Sequence, residues 1–180
     1  MPESSTALLV IDVQKEALVG CPGDGAELVA RINGLSRLAD AAGVPVIFIQ
    51  HEEDDEFVRG SPGWELAEDL ELRDGSFMVP KTYRDGFEAT ELEQLLARLG
   101  VRRLVVTGVH SDFCVQTTAL SGLVRGFDLV LVSDGHAARP SAEDAALSGE
   151  AIQAFINSRF STLRYPGRAI EVRAAAEIGF

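Results

Sequence analysis

Three residues of different chemistry each stand at or just beyond the end of an apolar run in this sequence: Asp12 after 6–11, Lys81 after 77–80, and Cys114 shortly after 104–109. A carboxylate, an amine and a thiol together supply a base, a cation and a nucleophile, the parts that covalent catalysis at a carbonyl requires. Cys114 lies in RLVVTGVHSDFCVQTT, where a buried strand gives way to a helix that runs to Gly126. Ser111 and Asp112 are expected to cap that helix. A sulfur near the unpaired N–H groups and positive dipole of a helix start is expected to have a lowered thiol pKa. The same N–H groups can hold an oxyanion. A cysteine among apolar residues is more often a small buried hydrophobe, and it is the two distant residues that raise Cys114 above that reading.

The elements that must position these groups follow from hydrophobic periodicity. Residues 6–13, 44–50, 77–81, 104–109, 127–132 and 169–172 read as strands, the first of them so continuously apolar that both faces must be buried. Helical spacing appears at Leu28, Ile32, Leu35 and Leu38, at Leu92, Leu95, Leu96 and Leu99, and at Ala145, Ala146, Ile152, Phe155 and Ile156. Capping patterns at Asp24 and Glu27, Asp85 and Glu88, and Ser141 and Asp144 are expected to start these helices. Alternating strands and helices predict a three-layer α/β/α sandwich around a mostly parallel, Rossmann-like sheet of about six strands, with residues 1–180 as a single domain. Right-handed crossovers bring all strand carboxyl ends to one edge, so Asp12, Lys81 and Cys114 are expected to converge there.

Composition bounds the function classes. The 180 residues suit one domain with a sizeable core, and 46% of them are hydrophobic. The formal net charge of −12 argues against nucleic acid or an anionic membrane as partner and weakly favours a cationic ligand. Two cysteines and an N-terminus without a basic region or long apolar span predict a cytoplasmic protein. Cys21, in a loop with no local partner, reads as a free thiol without a role. His51 and Glu52 directly follow the second strand and are expected at the mouth of a pocket, where acidic residues would favour an amine-bearing substrate. Gln14 and Phe113 are further pocket candidates, and Trp64, in the long segment 57–79, either anchors that loop or walls the pocket.

LLVIDVQ around Asp12, GSPGW at 60–64, Lys81 followed by DGFEAT, VVTGVHSDFCV at 105–115 and VLVSDGHA at 130–137 together resemble the isochorismatase-like cysteine hydrolase superfamily over nearly the whole chain. The resemblance implies that Asp12, Lys81 and Cys114 form a catalytic triad. It also implies that a cis peptide joins Val109 to His110, placing the N–H groups of His110 and Cys114 as an oxyanion hole. The implied reaction is hydrolysis of a C–N bond in a small amide, ureide, imide or lactam through a Cys114 thioester. Relatives of this kind include N-carbamoylsarcosine, ureidoacrylate, biuret and maleamate hydrolases and a hydrolase of the cationic antibiotic streptothricin, and they form homodimers or larger oligomers. Nicotinamidases and pyrazinamidases of the superfamily carry an Asp-x-His pair and further histidines that bind a metal. Here the pair reads Ile49-Gln50-His51 and no other His precedes Lys81, so no metal and no cofactor are expected. Isochorismatases proper lack the nucleophilic cysteine, and Cys114 argues against their chemistry.

Other α/β readings fit less well. A nucleotide-binding module would carry a glycine-rich turn after the first strand, where Gln14-Lys15-Glu16-Ala17 stands. A phospho-receiver domain would place a second acid beside Asp12 and its lysine later in the chain. The alternatives are a catalytically idle family member acting as an interaction module, against which the intact Asp12, Lys81 and Cys114 speak, and a nicotinamidase or pyrazinamidase, against which the missing Asp-x-His pair speaks.

Overall fold

The structure, a computed structural model, describes residues 5–141 and 147–180. Six parallel strands lie in the order β3-β2-β1-β4-β5-β6. They are β1 (Ser5–Ile11), β2 (Val46–His51), β3 (Phe77–Lys81), β4 (Val101–Val109), β5 (Asp128–Ala137) and β6 (Ile170–Arg173). The helices are α1 (Lys15–Leu18), α2 (Ala26–Ala41), α3 (Leu92–Arg98), α4 (Gln116–Arg125) and α5 (Gly149–Thr162). Strand order reverses between β1 and β4, which leaves a crevice at their carboxyl ends where the chain departs in opposite directions.

The two faces of the sheet are read from alternate residues of the same apolar runs. Ala7, Leu9 and Ile11 face a core closed by α3, α4 and α5 through Leu92, Leu96, Ala119, Leu123, Ile156 and Phe160. Leu8 and Val10 face the opposite core, closed mainly by Leu28, Ile32 and Leu35 of α2. Strands buried on both sides need no polar face, which is why they carry continuous rather than alternating hydrophobicity. Among the described residues no helix is long and apolar enough to cross a membrane.

β3 is an edge strand with Pro80 exposed and Lys81 buried, and His51 pairs with Lys81 in its register with β2. β5 carries an irregularity opposite β4: Val106 pairs with Leu131, but Gly108 pairs with His136. Extra residues of β5 accumulate there and carry Ser133, Asp134 and His136 to the carboxyl edge.

Helix starts depart from the expected caps. α2 begins after Gly25, the last residue of a short 3-10 turn over Pro22–Gly25, so its N-cap is Gly25 and not Asp24. α3 starts at Leu92; Asp85 instead accepts from the N–H of Phe87 at 2.9 Å, and its other oxygen accepts from Ser121 at 2.6 Å. Turn formation by a local Asx bond competes with helix entry there. The N-cap of α5 is Ser148, whose hydroxyl accepts from the Ala151 N–H at 3.2 Å, while Asp144, Ala145 and Ala146 lie outside the described residues.

Gly108 is the one position where β4 meets β1 too closely for a side chain. It has φ 119°, and a Cβ there would stand 2.0 Å from the Ile11 carbonyl oxygen, one residue before Asp12. Gly108→Ala is therefore expected to cost about 3 kcal/mol or more, through strand separation and positive-φ strain. Thermal melting against wild type measures this, and equal midpoints would refute the close-approach account.

Candidate active site

Each of the three reactive groups is delivered by a strand's carboxyl end. Asp12 is the first residue beyond β1; its backbone turns to φ 52° while its N–H still donates to the Ile49 carbonyl at 2.8 Å. That turn aims the carboxylate across the crevice instead of along the strand. Lys81 closes β3, and its side chain is fully buried. An ammonium has three N–H donors, and Lys81 has an acceptor for each: Asp12 Oδ2 at 2.7 Å, His51 Nδ1 at 2.9 Å and Cys114 Sγ at 3.3 Å. One oxygen of Asp12 is thus held by Lys81, and the other, Oδ1, is buried without a hydrogen-bond partner.

Cys114 sits in a π-helical turn, Ser111–Val115, between β4 and α4. The Val109–His110 peptide before it is cis. Both Phe113 and Val115 donate backbone N–H groups to the His110 carbonyl, at 3.1 and 3.2 Å, which winds the turn tightly under the sulfur. The N-cap is His110 with an extended backbone, not Ser111 or Asp112. Ser111 instead directs its hydroxyl to His136 Nδ1 at 2.7 Å, and Asp112 Oδ1 is buried without a partner. α4 ends at Gly126, φ 104°.

The thiol differs from expectation in its resting state. Burial pushes the Cys114 pKa up to about 12; the Asp12 charge pushes the same way, and Lys81 opposes both. Helix-start N–H groups do not lower a thiol's pKa when the sulfur is removed from water beside a carboxylate. The resting group is a protonated thiol next to a carboxylate that can take its proton.

His51 is held neutral by burial and by the Lys81 charge, both of which lower its pKa. Accepting from Lys81 at Nδ1 leaves its proton on Nε2, which points toward Glu53 at 3.7 Å. A ring nitrogen occupied by an ammonium is not offered to a metal. Among the described residues no group of three His, Cys, Asp or Glu side chains is placed to hold one.

A cleft of about 690 Å³ opens above the sulfur. Of the sequence-predicted pocket residues, His51 and Phe113 line it, together with His110. Gln14 and Trp64 do not. The Gln14 amide is committed to backbone: Nε2 donates to the carbonyls of His51 (2.9 Å) and Trp64 (2.8 Å), and Oε1 accepts from the His51 N–H (2.8 Å). Gln50 donates to the same Trp64 carbonyl at 2.9 Å. The long loop is therefore anchored through Trp64's backbone. Glu52 faces Arg59 at 3.0 Å outside the cleft, whereas Glu53, Glu56 and Asp112 line it. Cys21 is buried, its sulfur directed to the Ala17 carbonyl at 3.6 Å.

Among the cleft residues that escaped sequence reading are two arginines. Arg84 lies over the Phe113 ring at 4.0 Å, and Arg139 is steadied by donating to the Glu16 carbonyl at 3.0 Å. Arg84 stands three residues after Lys81, a proximity that could have drawn notice; Arg139 has no local signal.

Residues 6–158 match the isochorismatase domain, and the chain belongs to that family. A streptothricin hydrolase from Streptomyces noursei is 38% identical over 159 residues, covering 82% of this chain and 63% of that protein, so the chain spans less than two thirds of that relative. Ureidoacrylate amidohydrolase from Pseudomonas syringae pv. syringae (strain B728a) is 31% identical over 189 residues, covering 82% of this chain and 77% of that protein. The crystal structure of a cysteine hydrolase from Pseudomonas syringae pv. phaseolicola 1448A aligns with a TM-score of 0.82 at 26% identity, over 96% of this chain and 90% of that one.

The raised thiol pKa has a measurable sign. Only the thiolate is alkylated, so the iodoacetamide rate at Cys114 should keep climbing with pH well past the ordinary thiol range of about 8–9, toward about 12. Asp12→Asn removes a neighbouring negative charge and should move the profile to lower pH. A wild-type plateau at neutral pH would refute the resting thiol.

Proposed function

We propose that this protein is a cysteine hydrolase that cleaves a C–N bond in a small amide, ureide, imide or lactam. The observation that carries the reading is the buried Lys81 ammonium, 2.7 Å from Asp12 Oδ2 and 3.3 Å from Cys114 Sγ. It joins a base to a nucleophile in one hydrogen-bonded unit.

In the proposed cycle Asp12 takes the thiol proton through its unpartnered Oδ1. The thiolate forms beside Lys81, whose charge offsets it, and attacks the substrate carbonyl. The N–H groups of His110 and Cys114, with Lys81, stabilise the tetrahedral oxyanion. Asp12 returns the proton to the departing amine or ammonia as the C–N bond breaks, leaving a thioester on Cys114. Asp12 then accepts a proton from water, hydroxide adds to the thioester, and the acid leaves as the thiol is reprotonated. Water is consumed, and one acid and one amine are released.

The cleft volume suits a small molecule. Glu53, Glu56 and Asp112 give a basic substituent carboxylate partners, while Arg84 and Arg139 on the same lining favour a polar substrate over an apolar one. The names of the streptothricin and ureidoacrylate hydrolases support C–N hydrolysis as the class.

Ammonia release and product mass across a panel of small amides, ureides, imides and lactams test the reading. Cys114→Ala should abolish turnover without unfolding the protein, and Asp12→Asn should abolish it while lowering the melting temperature, because the buried Lys81 loses its carboxylate partner. Lys81→Ala should lose about 3–4 kcal/mol of transition-state stabilisation, by analogy with other oxyanion donors. EDTA treatment should leave the rate unchanged. Turnover by Cys114→Ala would sink the assignment.

A further inference from the structure

Behind the nucleophile lies a polar chain that the proposed cycle does not use. Ser111, the first residue of the turn that carries Cys114, is fully buried and has its hydroxyl 2.7 Å from His136 Nδ1. His136, also fully buried, has Nε2 3.0 Å from Asn157 Oδ1 on α5. Asn157 Nδ2 donates to the Ser133 carbonyl at 2.8 Å, which turns Oδ1 toward the imidazole. Gln153, one turn earlier on α5, donates to the His136 carbonyl.

The donor–acceptor order along this chain is determined. An amide oxygen only accepts, so His136 carries its proton on Nε2. Burial holds the imidazole's pKa below the usual histidine range, so Nδ1 is an acceptor, and the Ser111 hydroxyl donates to it. Every polar group in the line has one partner and one direction. Such a fully satisfied buried network fixes geometry at the cost of tolerance, because removing a member strands its neighbour. It runs from α5 through β5 to the turn under the sulfur, three residues from Cys114. The irregularity that shifts His136 into register with Gly108 is what brings its ring to Ser111.

We propose that His136 is a positioning residue: through Ser111 it sets the turn that holds the Cys114 sulfur buried against Asp12 and within reach of Lys81. This rests on Cys114 being the nucleophile. Without the Ser111–His136 bond the turn loosens, and the sulfur moves toward water and away from the carboxylate. Both changes bring its pKa down toward the ordinary thiol range while the aligned attack geometry is lost.

The test follows iodoacetamide alkylation of Cys114 against pH, read by mass spectrometry, and needs no substrate. Ser111→Ala and His136→Leu should shift the profile to lower pH and speed labelling near neutral pH by about tenfold. Cys21, buried in the other core, should stay unlabelled. His136→Asn, which restores an amide near the Nδ1 position, should return the profile toward wild type, and the double variant should move no further than His136→Leu. Ser111→Ala deletes a single hydroxyl and keeps the test readable if His136→Leu does not fold. An unmoved profile in folded Ser111→Ala, or labelling of Cys114 and Cys21 in parallel, would overturn the positioning role. Turnover by Cys114→Ala on the amide panel would instead overturn the underlying cysteine mechanism, so the two failures are distinguishable.

Discussion

The Lys81 ammonium is the interaction on which the carboxyl edge of this sheet depends. It has no access to water, and its three protons meet a carboxylate from β1, an imidazole from β2 and a sulfur from the turn after β4. A buried charge of this kind is tolerable only with full pairing. Its demands therefore dictate where the ends of three other segments must lie, and the arrangement proposed for catalysis is the same one that keeps the lysine satisfied. Stability and chemistry share one set of contacts here, and that explains why Asp12 adopts a backbone conformation that an L-residue otherwise avoids.

The rest of the architecture serves to bring those ends together. The reversal of strand order between β1 and β4 opens the crevice, and Gly108 lets the two strands close to backbone contact just below it. Gln14 then ties His51 and Trp64 by their main chains. His51 is thereby held at the place where Lys81 needs an acceptor, and the long loop after it is kept from drifting over the sulfur. The cleft above is left to residues with fewer obligations, such as Phe113 and Arg84.

Much of this was legible in the chain. Apolar runs marked the strands of the described sheet, unbroken in β1 but interrupted by Asp128 in β5 and Glu171 in β6, and the three reactive residues were visible because each ended or followed such a run. Cap positions were less legible: Asp85 and Ser111 have the right side chains, but each found a different partner, Ser121 for one and His136 for the other. The thiol's high pKa was hidden because helix-start N–H groups are local while burial and the Asp12 charge are tertiary. Gln14 looked like a pocket residue by its place after Asp12, and only the fold reveals that its amide faces backbone. His136 lay within the VLVSDGHA match, but its role was hidden, since its partners lie 25 residues before it and 21 after it.

The edge position of β3 carries one more consequence. Its outer side is the natural place for a foreign strand to add, and Pro80, exposed there, has no N–H to offer. The proline next to the lysine thus discourages intermolecular β-pairing at the strand where it would do most harm. A slip of β3 by one residue would reverse which side chains face inward, putting the rigid ring where the ammonium belongs. Resistance to aggregation and fidelity of strand alignment are guarded at the same two adjacent positions.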